Sequence, residues 1–334
     1  MEYIKFHNID QEVSRIGLGT WAIGGWMWGG TDEEDSVKTI RTALDKGINL
    51  LDTAPAYGFG VSEEIVGKAL KEHGKREKVV IATKVGLDWD EDAEKKQPFR
   101  NSSPERIMKE IDDSLKRLQT DYIDIYLVHW PDSEEAFEKT SMTLFRLMEL
   151  GKIRSIGVSN YSPEQMDQFM AGAPLHVNEP PFNLFEREAE KDVLPYCQEH
   201  EIRTLGYGAL CRGMLSGKMS RDREFKGDDL RKYDPKFQGK SFEQYLEAAE
   251  KLETFAREKF DKNLIQLAVR WVLDRGVSTA LWGARKPSQL KDVEDVSGWK
   301  IDESSMKEID KILKDTIKDP VGPEFMGPPS REGK

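Results

Sequence analysis

The sequence predicts a (β/α)8 barrel, an α/β fold in which eight parallel strands are ringed by helices, and three observations predict it. Short apolar, β-branched runs alternate with amphipathic stretches from residue 16 onward, the pattern of parallel strands joined by crossover helices. Eight such units can be counted in the 334 residues, which suits a closed barrel better than an open sheet. Several runs are apolar almost throughout, as strands covered on both faces must be. The strands are expected at residues 16–21, 49–53, 79–85, 123–130, 155–159, 176–178, 204–207 and 278–283.

Taken in order, residues 1–13 hold no full unit and are expected to form a hairpin across the barrel floor. The first helix should open near Asp32, after a glycine-rich aromatic loop, Gly24-Gly25-Trp26-Met27-Trp28-Gly29-Gly30. Ser103-Pro104-Glu105 and Ser162-Pro163-Glu164 each place a capping hydroxyl before a proline at the first helical position, so both serines are read as structural. Residues 216–241 and the tail 319–334, with prolines at 320, 323, 328 and 329, exceed ordinary loops and are expected to fold over the site. The whole chain, 1–334, is read as one barrel domain.

Composition narrows the partners. Fifty lysines and arginines stand against 61 acidic residues, interspersed along the helices, which argues against a nucleic acid or an anionic membrane as partner. Two cysteines argue against a disulfide framework, and the opening Met1-Glu2-Tyr3-Ile4-Lys5 lacks the apolar core of a signal peptide. A reducing, cytoplasmic setting is the expectation, and oligomeric state has no signature here.

In such a barrel the reactive groups belong at the C-terminal ends of strands. Asp52 closes the second strand, Tyr57 lies in the loop beyond it, Lys84 is near the end of the third, and His129 near the end of the fourth. An Asp–Lys pair in a barrel mouth is often structural, and a histidine after an apolar strand is often a core residue. Their joint placement carries the functional reading. Carbonyl reduction needs hydride at carbon and a proton at the developing alkoxide. Tyr57 can give the proton, a nearby Lys84 ammonium should lower its pKa, and Asp52 should hold the lysine. His129 would orient the carbonyl oxygen or assist the proton transfer.

Gly-Leu-Gly-Thr-Trp at 17–21, Leu-Asp-Thr-Ala-Pro-Ala-Tyr-Gly at 51–58, Ala-Thr-Lys at 82–84, Leu-Val-His-Trp-Pro-Asp at 127–132 and Gly-Lys-Ile-Arg-Ser-Ile-Gly-Val-Ser-Asn at 151–160 resemble the aldo-keto reductase superfamily over about residues 14 to 293. Asn183-Leu184-Phe185-Glu186-Arg187, residues 210–218 and the tail from Asp319 to Met326 resemble its bacterial general-stress branch. The resemblance implies an Asp52–Tyr57–Lys84–His129 tetrad with Tyr57 as general acid. It also implies NADP(H) as cofactor, with the nicotinamide stacked on Tyr207 and its carboxamide held by Ser159, Asn160 and Glu179, although glutamine commonly stands where Glu179 is. Gly19, Thr20, Trp21 and Asp52 would border the nicotinamide, and Gly208, Ala209, Leu210, Arg212, Gly213 and Lys218 the pyrophosphate. Gly283 opens what reads as the last barrel helix, where Arg285 or Lys286 would pair with a 2′-phosphate while Gln289 and Asp292 face the adenosine. Val293 replaces a frequent asparagine, and Gly208-Ala209 a frequent Ser-Pro.

The string from Gly17 to Ala22 meets a dinucleotide fingerprint only superficially, because that motif needs a helix opening at once on its last glycines, whereas the loop from Gly24 to Gly30 intervenes before the helix expected near Asp32. Trp21, Trp26, Trp28, Phe59, Trp89 and Trp130 are expected to wall a substrate pocket beside Tyr57 and His129. Small aldehydes, α-dicarbonyls and sugars are the expected substrates. A nucleotide-binding redox sensor with slow chemistry is the alternative, against which the intact tetrad argues. A metal-dependent hydrolase is disfavoured by the scattered histidines at 7, 73, 129, 176 and 200.

Overall fold

A computed structural model describes residues 1–331, so the last three residues of the expected 319–334 tail lie outside the described residues. Strands β1 (Tyr3–Ile4) and β2 (Val13–Ser14) pair antiparallel and lead into β3 (Ile16–Gly19), α1 (Trp21–Gly24), α2 (Glu33–Asp45), β4 (Leu50–Asp52), α3 (Val61–His73) and β5 (Val80–Val85). A small antiparallel pair, β6 (Leu87–Asp88) and β7 (Phe99–Arg100), follows. The order continues α4 (Pro104–Leu118), β8 (Ile123–Val128), α5 (Phe137–Glu149), β9 (Ile153–Ser159), α6 (Pro163–Met170), β10 (Val177–Glu179), α7 (Val193–Glu199) and β11 (Arg203–Gly206). It ends with α8 (Gly239–Phe260), α9 (Leu264–Asp274), β12 (Thr279–Gly283) and α10 (Glu303–Thr316).

The eight strands β3, β4, β5, β8, β9, β10, β11 and β12 close into a parallel barrel, the predicted architecture. Its interior is packed with Leu50, Val80, Ala82, Ile125, Leu127, Val177, Leu205 and Leu281, and the N-terminal hairpin plugs its floor with Phe6, Ile9 and Val13. Each such plug side chain contributes about 1.5–3 kcal/mol on burial. At the seam, β12 pairs with β3. Arg15 secures it by donating to the carbonyl oxygens of Leu273 at 3.1 Å, Val277 at 3.0 Å and Ser278 at 3.3 Å.

Helix starts follow the local chemistry. Asp32 accepts from the Asp35 N–H, Ser103 from Arg106, and Ser162 forms a capping box with Gln165. Three details differ from expectation. Trp21 does not end a strand but opens the single turn α1, since the chain must bend inward over the mouth as soon as β3 stops. The eighth unit has no helix directly after its strand: 3-10 turns at Pro287–Leu290 and Glu294–Val296 precede α10, and proline at the start of the first turn together with buried Leu290, Val293 and Val296 favours a tight, irregular descent. Helix α8 already begins at Gly239, inside the stretch read as loop. No helix among the described residues is long and apolar enough to cross a membrane.

Candidate active site

Parallel register sets the mouth: Gly283, Gly19 and Asp52 stand side by side on β12, β3 and β4, and Asp52 pairs in turn with Ala82 on β5. Two residues on, Lys84 shares a face with Ala82, because side chains alternate along a strand. Tyr57 is carried by a turn closed by its N–H on the Ala54 carbonyl at 3.1 Å. The glycine-rich loop presses on that turn. A Cβ on Gly24 would lie 2.4 Å from the Tyr57 carbonyl oxygen and 2.5 Å from its carbon. Gly24→Ala is therefore expected to cost about 1–3 kcal/mol and to lower activity by moving Tyr57; a variant with unchanged urea midpoint and turnover would contradict the close contact.

The structure brings all four tetrad residues together. Lys84 is 0% exposed and Asp52 3%; the ammonium is paired with Asp52, donates to the Thr53 carbonyl at 3.1 Å and lies 5.1 Å from the Tyr57 ring centroid. The rings of Tyr57 and His129 meet edge-on with centroids 5.7 Å apart. Glu179, only 2% exposed, is a fifth member, with Oε1 3.3 Å from the lysine nitrogen. Burial disfavours the Lys84 ammonium, yet Asp52 and then Glu179 outweigh it and hold the lysine well above its ordinary value. Burial raises the Asp52 carboxyl despite Lys84, and burial with the Asp52 charge pushes Glu179 up to about 8. Burial, then Lys84, keeps the His129 imidazole well below its usual range and so neutral.

One expectation is corrected. The phenol of Tyr57 is raised rather than lowered, because burial, helped by the negative charges of Asp52 and Glu179, outweighs the Lys84 ammonium.

Two cavities meet over this cluster. A cleft of about 320 Å³ is lined by Gly19, Trp21, Trp28, Asp52, Tyr57, Tyr207, Gly208, Ala209, Leu210, Arg212, Gly213, Lys218, Gly283, Arg285, Gln289 and Asp292. Beside it Cys211, Arg212 and Gly213 have φ of 43°, 52° and 92°, a left-handed run whose turn is closed by the Cys211 N–H on the Gly208 carbonyl at 2.7 Å and the Gly213 N–H on the Leu210 carbonyl at 2.9 Å. A second pocket of about 460 Å³ includes Trp21, Trp26, Tyr57, His129, Trp130, Ser159, Asn160, Glu179 and Tyr207. Trp21, Tyr57, Tyr207 and Met326 belong to both. Ser159 donates to the Glu179 carbonyl at 2.8 Å, and Asn160 accepts from the Tyr207 hydroxyl at 2.8 Å.

Several expected residues are placed elsewhere. Thr20 is buried, its hydroxyl donating to the Asp52 carbonyl at 2.8 Å, so it braces the mouth from behind. The Arg212 guanidinium edges the cleft but is bound to Asp234 at 2.6 Å and to Glu186; an arginine this buried needs carboxylates and is committed to them. Of the two adjacent cations, Arg285 faces the cleft and donates to the Trp28 carbonyl at 2.8 Å, whereas Lys286 lies 3.6 Å from Asp35 and lines neither cavity. Val293 is core. Trp89 and Phe59 meet edge-on with centroids 5.2 Å apart behind the pocket wall, with the Arg106 guanidinium over Trp89.

The two long segments lie at the site, as their length and position predict, and the structure supplies the side chains they bring. Arg223 and Arg231 reach the cleft, and Leu230 and Tyr233 the pocket. Phe325, Met326, Pro328 and Pro329 of the tail complete the pocket wall. Arg100 holds that tail by donating to the Pro328 carbonyl at 2.9 Å, and Arg331 pairs with Asp132, Glu134 and Glu135. Lys218 and Arg223 make no ion pair among the described residues.

Comparison with known proteins agrees with this geometry. The chain is 57% identical over 333 residues to the aldo-keto reductase YhdN of Bacillus subtilis, covering 99% of each. It is 35% identical to the NADH-specific methylglyoxal reductase of Escherichia coli, covering 87% of this chain and 92% of that one. Among solved structures, a glycerol dehydrogenase from Gluconobacter oxydans superposes with a TM-score of 0.88 at 52% identity, covering 97% of this chain and 99% of that one. The profile described as Aldo/keto reductase family matches residues 15–314, and the chain belongs to that family.

Proposed function

We propose that this chain reduces small aldehydes and ketones to alcohols with NADPH, Tyr57 giving the proton. One observation carries the reading: a cation-lined cleft and a largely apolar pocket meet at Tyr57, beside the buried Lys84–Asp52 pair. The cleft suits a dinucleotide by its donors, the side chains of Lys218, Arg223 and Arg285. When bound, the reduced nicotinamide supplies the hydride. Tyr207 offers an aromatic face at the junction of the two cavities, steadied through its hydroxyl by Asn160.

Burial keeps the proton on the Tyr57 oxygen until a stronger base forms next to it. An alkoxide developing in the pocket is such a base, and the Lys84 ammonium then stabilises the phenolate left behind. A neutral His129 donates a hydrogen bond from one ring nitrogen to the carbonyl oxygen and so orients it. The pocket lining includes no arginine or lysine, which favours uncharged carbonyl compounds over keto acids.

The test is loss of reduced nucleotide with glyceraldehyde, methylglyoxal and an aromatic aldehyde, NADPH and NADH in parallel. Turnover supports the reductase; tight nucleotide binding without turnover favours a sensor. NADH is the second reading of the cofactor, because the Escherichia coli relative is named for it. Arg285→Ala decides the point: the KM for NADPH should rise about tenfold or more, the worth of one charge-assisted hydrogen bond, with the KM for NADH nearly unchanged. Equal rises for both would remove Arg285 from phosphate recognition.

A further inference from the structure

Lys84 faces two carboxyls, Asp52 on β4 and Glu179 on β10, and all three are almost wholly buried. Two such groups on one cation cannot both ionise cheaply, so a proton is shared between them. They are not equivalent. Asp52 is hydrogen-bonded to the lysine, whereas Glu179 stands at 3.3 Å through Oε1 and its Oε2 is buried without a hydrogen-bond partner. The same residue lines the pocket next to Ser159, Asn160 and Tyr207. A carboxyl with one unpartnered oxygen thus belongs to a residue that lines the pocket where, on the reading proposed above, the nicotinamide ring lies.

We infer that Glu179 senses the charge of the nicotinamide: its carboxyl stays protonated beside the neutral reduced ring and ionises beside the cationic oxidised ring, so oxidised nucleotide binds with release of a proton. Apart from Asp52 on β4, with which it shares the proton, the groups facing it do not titrate in competition. Lys84 on β5 stays charged, Tyr57 and Tyr207 stay protonated because burial raises both, and His129 after β8 stays neutral. Burial together with the Asp52 charge holds the Glu179 proton into the mildly alkaline range. A cation arriving in the pocket beside this carboxyl opposes both effects and expels that proton. By linkage, affinity for the oxidised nucleotide must then rise with pH while affinity for the reduced form stays nearly level.

Calorimetric titration of the whole chain with NADP+ and with NADPH, in two buffers of different ionisation enthalpy on either side of pH 8, tests this. The 2′-phosphate titrates in both nucleotides, so their difference isolates the ring. The expected result is an excess of proton release with NADP+ over NADPH and an affinity for NADP+ that rises, relative to NADPH, on the order of tenfold across the range, as displacement by one pKa unit gives. Glu179→Gln should abolish that excess and flatten the dependence. Equal proton counts for the two nucleotides in the unmodified protein overturn the inference without any variant, as does undiminished release in Glu179→Gln. If neither nucleotide binds, the oxidoreductase reading fails and the inference with it; binding without a difference between the nucleotides overturns the inference alone.

Discussion

Tyr57→Phe is expected to lower turnover roughly a hundred- to ten-thousand-fold, the usual worth of a positioned general acid, while leaving nucleotide affinity nearly unchanged. The phenyl ring keeps its edge contact with His129 and its place in the walls of both cavities. Only the hydroxyl is lost, and with it the proton that burial holds beside Lys84 and His129. Parallel falls in kcat and kcat/KM would mark an interaction made in the transition state. A pre-steady-state trace with normal NADPH binding and no fast oxidation locates the loss at the chemical step. Undiminished turnover would take the acid role from Tyr57.

Lys84→Met is expected to cost about 3–5 kcal/mol of stability, because it removes the cation from two buried carboxyls. The loss should depend on pH with a definite sign. In the variant both carboxyls keep the burial that raises them and lose the ammonium that opposes it. Their folded-state pKa values then lie far above the unfolded values near 4. Such groups leave stability intact below the unfolded value, and the stability falls as pH rises through the folded one. Urea midpoints compared at pH 5 and on the alkaline side of pH 8 should show a larger deficit at the higher pH. An equal deficit at both would mean that Asp52 and Glu179 do not share the lysine as described.

The barrel and its tetrad were legible because the information is local. Apolar runs bounded by capping signals mark strands and helices, and Asp52, Lys84 and His129 fall at strand ends where parallel register must gather them. The sign of the Tyr57 shift was not legible, since it depends on how much water the aromatic loop and the tail exclude. Arg212 shows the same limit. Next to the glycines it reads as a phosphate ligand, and only the folded chain reveals Glu186 and Asp234, 26 and 22 residues away, closing on its guanidinium. Glu179 read as a departure from a family contact, and nothing in the sequence places it against Lys84. The pocket wall from Phe325 to Pro329 is held in part by Arg100, more than 200 residues upstream.

The barrel seam has a consequence for how the protein comes into being. Gly19 and Gly283, at the tips of β3 and β12, both line the cleft and are joined across the seam, so residues from opposite ends of the polypeptide meet in its wall. Closing so long a loop carries the largest entropic cost of any strand pairing in the molecule and belongs among the slow events of folding. A nascent chain lacking β12 has the tetrad residues but not the cleft. Nucleotide therefore rewards only the finished circle, and its presence should protect the seam, not the early strands, from opening.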